Sequence, residues 1–277
     1  MSALQPGLSP AEVSELRWAF EHLEHSSLAA RLSSVVGIPI ERSLKLLPER
    51  WHRAIRSGAG RSIEKAAEVA IASLELPALG LSESGHRALA ATAGAVGGFA
   101  GPVGLIAELP LMTVLLLRSI ATVARQHGED LTRPEARFAC VEVFGLGSRS
   151  RDDDGAETGY FGLRSSLALH FGGALTGARL SPKHLPGGPE ILQAIASRFG
   201  GAVSDKVAAR MIPAIGAVSG AVLNVAFMQH FQDVAKGHFI VRRLERRHGT
   251  AAIRLAYRKF SHTGDRADAE FSPLEGW

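Results

Sequence analysis

At 277 residues the chain is long enough to bury a substantial core, either as one large domain or as two small ones. Hydrophobic residues make up 46% and charged ones 21%, which excludes wholesale disorder; a net charge of +4 makes contact with acidic surfaces possible, but an aromatic fraction of 6% is too low for base-stacking platforms, so no nucleic acid is expected. The single cysteine, Cys140, cannot form an internal disulfide, and no cationic start leads into an apolar cleavage region, so the reducing cytoplasm is the expected compartment.

In chain order, Ser9, Pro10 and Glu12 form a helix-start signal. Val13, Leu16, Phe20 and Leu23 then recur at helical spacing. Gly37, Ile38 and Pro39 break the chain before another helix, and Leu47, Pro48 opens a third that is expected to reach Leu76. From Ala88 to Ala107 no residue is charged. That length could span a membrane, but Gly97, Gly98, Gly101 and Pro102 interrupt it, so two buried helices joined by a glycine turn are the better expectation. Leu109, Pro110 reads as the start of a strong helix that stops at His127, Gly128.

Thr132, Arg133, Pro134 and Glu135 have the form of a capping box, which predicts a helix from Glu135 to Phe144. Residues 145–159 read as an exposed loop, and Ser181 to Pro189 as a second connection. Met211 to Gln232 again lacks formal charge, and its Gly216 and Gly220 repeat the four-residue spacing of Gly94 and Gly98, which lets helices approach closely. Two further helices are expected, Phe239 to His248 and, after Gly249, Thr250 to Phe260. No strand alternation stands out. The fold expectation is an all-α, multi-helix bundle with two central apolar, glycine-rich regions, around Pro110 to His127 and Pro213 to Ala235. Its domain is expected over 39–262, with outer helices at 1–38 and a tail at 263–277.

Two blocks carry a resemblance. One is LPLMTVLLLRSIATVARQHGEDLTRPEARFACVEVFGLG, Leu109 to Gly147; the other is IPAIGAVSGAVLNVAFMQHFQDVAKGHFIVRRLERRHG, Ile212 to Gly249. Together they resemble the bacterial EcsC family over about residues 40 to 260. The family is named for association with an ABC-transporter operon, so the resemblance implies a transporter or another membrane protein as partner. It brings no catalytic residues.

The chain has no Gly-x-Ser-x-Gly elbow, no phosphate-binding loop and no Cys-x-x-Cys pair, so common hydrolase, nucleotide and zinc-finger readings fall away, and neither a metal nor a cofactor is expected. His22 and His25 lack zinc-helix spacing, and Asp152 to Asp154 lacks that of a calcium loop; both read as solvated surface. Arg118 is the sharper case. Flanked by Leu115, Leu116, Leu117 and Ile120, its guanidinium needs a partner, expected among Asp130, Glu142 and Asp233, with Glu108 and Glu135 as further candidates. Asn224, His230, Asp233 and His238 complete a candidate polar cluster, in which His230 and Asp233 could form a general base with its orienting group or a structural clamp. Arg242, Arg243, Arg246 and Arg247 form a candidate membrane or partner surface.

These residues lead to the expectation of a non-enzymatic accessory protein, peripheral on the cytoplasmic face of a membrane. The alternatives are a hydrolase-like enzyme built on the His/Asp/Arg cluster, or a binder of a small apolar ligand.

Overall fold

The computed structural model describes residues 7–25, 27–37, 73, 80–99, 101–148, 159–165, 199–207, 209 and 217–270. These residues form an all-α bundle: α1 Pro10–Glu24, α2 Leu28–Val36, α3 Glu83–Phe99, α4 Gly101–Gln126, α5 Pro134–Leu146, α6 Ala217–His248 and α7 Thr250–Glu270, with shorter helical stretches in 160–165 and 199–207. Among the described residues there is no strand. The helix expected from Leu47 to Leu76 lies outside the described residues except for Ser73, and so do Asp152 to Asp154 and the connection Ser181 to Pro189.

α1 begins as its sequence dictates. The Ser9 hydroxyl accepts from the Glu12 amide at 3.3 Å while the Glu12 carboxylate takes the Ser9 amide at 2.8 Å, which satisfies two orphan donors reciprocally. Leu16, Ala19 and Leu23 then face inward. The stop of α4 is equally local: Gly128 adopts φ +77°, Glu129 N donates to Ala124 O, and Gly128 N donates to Arg125 O, the paired bonds of a Schellman motif.

Other boundaries move. Pro110 lies inside α4, which starts at Gly101; a proline there removes one backbone bond, and the burial of Leu109, Met112 and Thr113 shows that tertiary packing overrides that local cost. The capping box at Thr132 does not form, because Thr132 donates its amide and hydroxyl to Asp130 Oδ1 (3.0 and 2.7 Å), so Arg133 becomes the N-cap without a side-chain bond. The expected loop at 145–159 begins later, since Gly145 and Leu146 are buried in the last turn of α5; 149–158 lies outside the described residues. The two expected helices on either side of Lys236 are one 32-residue helix, α6, about 48 Å long at 1.5 Å per residue. Helix α7 continues to Glu270, past the expected boundary at 262.

α6 is the axis of the bundle and touches every other named helix. Its direction against its neighbours follows from paired bonds. Asn224 and Gln232 of α6 bond to the carbonyls of Ala90 and Glu83 in α3, so those two helices are antiparallel; they bond to Glu108 and Ser119 in α4, so α4 runs parallel to α6. α3 and α6 cross at glycine. A Cβ added to Gly94 would lie 2.2 Å from the Gly220 carbonyl oxygen and 2.7 Å from Asn224 Nδ2, a separation only glycine permits. One hydrophobic cluster joins Leu16 of α1, Leu116 of α4, Phe144 of α5, Phe231 of α6 and Tyr257 of α7, so the amino-terminal helices share the core rather than lying outside it.

Candidate functional site

The polar side chains with chemical potential gather in two places along α6. On its carboxyl-terminal half, His238, Arg242 and Glu245 follow one another on one face, with spacings of four and three residues. His238 Nδ1 lies 2.9 Å from the Tyr160 hydroxyl, and its Nε2 lies 3.6 Å from Glu142 Oε2. Arg164 joins the chain by donating to Glu245 Oε2 at 2.7 Å and to the Tyr160 hydroxyl at 3.4 Å. Helix α5 is buried from Phe138 to Leu146, and Glu142 is only 3% exposed.

The close approach of Glu142 and His238 is not an ion pair. Burial pushes the Glu142 carboxyl up to about 7, against the opposing fields of Arg164 and Arg242, and burial together with those two cations holds His238 well below its usual value. Both groups are therefore driven toward their neutral forms. Burial likewise raises the Tyr160 phenol and pushes the Cys140 thiol up to about 12, so neither is a nucleophile near neutral pH. Its acid–base groups are closed to a substrate, with Glu142, Tyr160 and His238 at 3%, 1% and 0% exposure, and only the arginines Arg164 and Arg242 reach toward solvent.

The second cluster lies on the amino-terminal half of α6. Lys206 Nζ donates to Glu108 Oε1 at 3.1 Å, with the side chains 1% and 4% exposed, and Asn224 Nδ2 donates to the same oxygen at 2.7 Å. Lys206 also sits over the Phe227 ring, 4.9 Å from its centroid. Two turns further along, Gln232 Nε2 bridges Ser119 Oγ at 2.8 Å and the Glu83 carbonyl at 3.0 Å. Glu108, offered by the sequence as a further candidate partner for Arg118, is thus inside α4 and bound to a lysine.

The structure separates residues that the sequence grouped. Arg118 does not meet Asp130, Glu142 or Asp233. It is half-buried, and its Nη1 donates to the Ser73 carbonyl at 2.9 Å; Asp130 is held by Thr132, Glu142 faces His238, and Asp233 pairs with Arg31 at 2.7 Å. Leucine neighbours in sequence point to different helix faces, so Arg118 reaches past them along its own face. Glu135 lies within 3.8 Å of the exposed Arg133. His230 and Asp233 share no bond: His230 Nε2 donates to the Gly147 carbonyl at 2.7 Å, and burial brings its pKa down to about 4. The pairing that would make a general base is absent there.

Each of the four arginines meets a carboxylate, while Arg246 and Arg247 stay 43% and 70% exposed. Glu129 receives Arg242 at 2.8 Å and also Arg246, Arg243 reaches Glu15 at 2.5 Å, and Arg247 and His248 reach Glu12 at 2.9 and 3.0 Å. The bonds from His248, Ser9 and Arg247 hold the Glu12 carboxyl well below the usual carboxylate range. Burial works against Glu129, yet Arg242 and Arg246 hold it below its ordinary value.

Sequence reasoning missed Lys206, Tyr160, Arg164 and Glu245. Two signals could have found some of them. Asn224, Phe231, His238 and Glu245 repeat every seven residues, two helical turns, which puts three polar groups on a core stripe with a phenylalanine. Lys206 completes the apolar pattern of Phe199, Ala202 and Val203 at i, i+3, i+4 and i+7.

A profile of the EcsC protein family matches residues 40–244. The chain belongs to that family. The match leaves α1, α2 and α7 outside, and it contains both buried clusters except for Glu245. No curated protein and no solved structure matches the chain. No helix among the described residues is long and apolar enough to cross a membrane, and among them no group of His, Cys, Asp and Glu side chains could hold a metal ion.

Proposed function

We propose that this EcsC-family chain is a non-enzymatic accessory protein, peripheral on the cytoplasmic face of a membrane, with an ABC transporter as the partner that the family's operon association suggests. One contrast supports the reading. Side chains fit for acid–base work are sealed, with Glu142, His230 and His238 at 3%, 0% and 0% exposure, whereas Leu89, Val96, Leu111 and Val222 on α3, α4 and α6 are 41%, 71%, 53% and 45% exposed. Contact through a surface fits that distribution better than turnover in a cleft. The four arginines give this reading no support, because each already has a carboxylate partner within the chain.

The test is fractionation of cells that express the full chain, followed by an alkaline carbonate wash of the membranes. The protein is expected in the membrane pellet and then in the wash. Recovery entirely in the first supernatant would overturn the reading, and retention through carbonate would replace it with true insertion. A pull-down from solubilised membranes then identifies the partner.

A further inference from the structure

We infer that α3 presents a charge-independent docking stripe for the apolar boundary of a lipid bilayer. This deepens the peripheral-membrane reading and rests on it. Along α3, Ala88, Leu89, Thr92 and Val96 are exposed at successive turns of one face. None carries a charge, and the one hydroxyl is turned back, with Thr92 Oγ1 donating to the Ala88 carbonyl at 2.9 Å. A solvated helix face ordinarily carries charged or amide side chains; this one exposes only methyl groups and a satisfied hydroxyl.

Three observations point to lipid as the occupant. The first is charge: the uncharged run continues from Ala88 to Ala107, through the end of α3 and into α4, so the stripe has no ionic complement to offer a partner. The second is position. The arginines that could attract anionic headgroups stand at the other end of α6 from Gly220, which packs on α3 at Gly94; Gly220 and Arg246 are 26 positions apart, about 39 Å at the α-helical rise. Those arginines are also paired with Glu12, Glu15 and Glu129. The third is size. From Leu89 to Val96 the stripe is about 10 Å long on a helix about 10 Å across, on the order of 100 Å², far short of the ~800 Å² per partner of a stable protein interface. A second copy of the chain is therefore a poor fit. A bilayer needs no matching surface, and a few apolar side chains suffice for weak, reversible association.

The experiment is co-sedimentation of the full chain with sucrose-loaded vesicles, one set of phosphatidylcholine alone and one with a third phosphatidylglycerol, each at low and high salt. Expected binding is equal on both vesicles and unchanged by salt, at least tenfold weaker for Val96→Glu and Leu89→Glu, and unchanged for Arg247→Gln. Both acidic variants replace exposed side chains, and unchanged melting curves confirm that they fold. Binding confined to the anionic vesicles and lost in salt would overturn the charge-independent stripe. So would association with native membranes but with neither vesicle, which leaves the peripheral reading intact and points to a membrane protein. Absence from native membranes as well would remove both, and self-association abolished by Val96→Glu would assign the stripe to a second copy.

Discussion

The two halves of α6 meet the same need, burying one helix among several others, by opposite means. From Gly220 to Gln232 it lies against α3 so closely that a β-carbon at Gly94 would collide with backbone, and its buried polar groups, the amides of Asn224 and Gln232 and the His230 ring, bond to neighbouring carbonyls, to Ser119 and to Glu108. From His238 to His248 long side chains bridge outward to α1, to α5 and to Glu129 beyond α4, ending in ion pairs of increasing exposure. Along α3 the close approach leaves no room for long cations on α6 itself, and the buried cation that serves this half, Lys206, comes from another segment; the wider approach at the other end is bridged by the arginines of α6. The first half should therefore be brittle toward added volume or lost charge, and the second tolerant at its rim.

The largest effect is expected for Lys206→Met, which leaves Glu108 buried without its cation and should destabilise the fold by about 3–5 kcal/mol. Chemical denaturation measures it. If the loss is under about 1 kcal/mol, the amino-terminal half is not built on that pair; Glu108→Gln added to Lys206→Met should restore part of the loss.

Next comes the pH dependence of Glu142. Its folded-state value is raised from 4.5 to about 7, so the stability it supports is full below pH 4.5 and is lost as pH rises through about 7. His230 runs the other way: lowered from 6.5 to about 4, it contributes stability that is present above pH 6.5 and lost as pH falls through about 4. Because the two overlap, the informative quantity is the difference between Glu142→Gln and the native chain. The variant should gain about 3 kcal/mol relative to the native chain between the two Glu142 values. A flat difference would mean that the carboxyl is ionised in the fold.

Gly94→Ala is expected to cost about 2 kcal/mol, because the obstruction is the Gly220 carbonyl, which cannot rotate away. An unchanged melting temperature would show that α3 can lift off α6 freely. The smallest effect belongs to the rim. Arg243→Gln breaks a pair whose side chains are 38% and 42% exposed, and it should cost no more than about 0.5 kcal/mol, less in high salt. A larger loss would extend the brittle behaviour to both halves and erase the contrast.

Sequence by itself determined the elements whose causes are local. The Ser9–Glu12 capping box and the Gly128 stop are readable from neighbouring residues, since each depends on bonds or sterics within a turn or two, and the helical class and the family resemblance are readable from patterns along the chain. The candidate site was only half legible. Asn224, Glu142 and His238 stood out as polar groups in apolar runs, but their partners lie across the bundle: Asn224 bonds Glu108 over 116 residues and His238 faces Tyr160 over 78. Which carboxylate meets which cation depends on helix rotation and direction, and a local pattern constrains neither. That is why Arg118 was matched to the wrong partners, why His230 and Asp233 were joined, and why the carboxylates opposite the four arginines were not foreseen. Tertiary structure alone decided those pairings, because burial and approach distance fix both the charge state a side chain can keep and the partner it can reach.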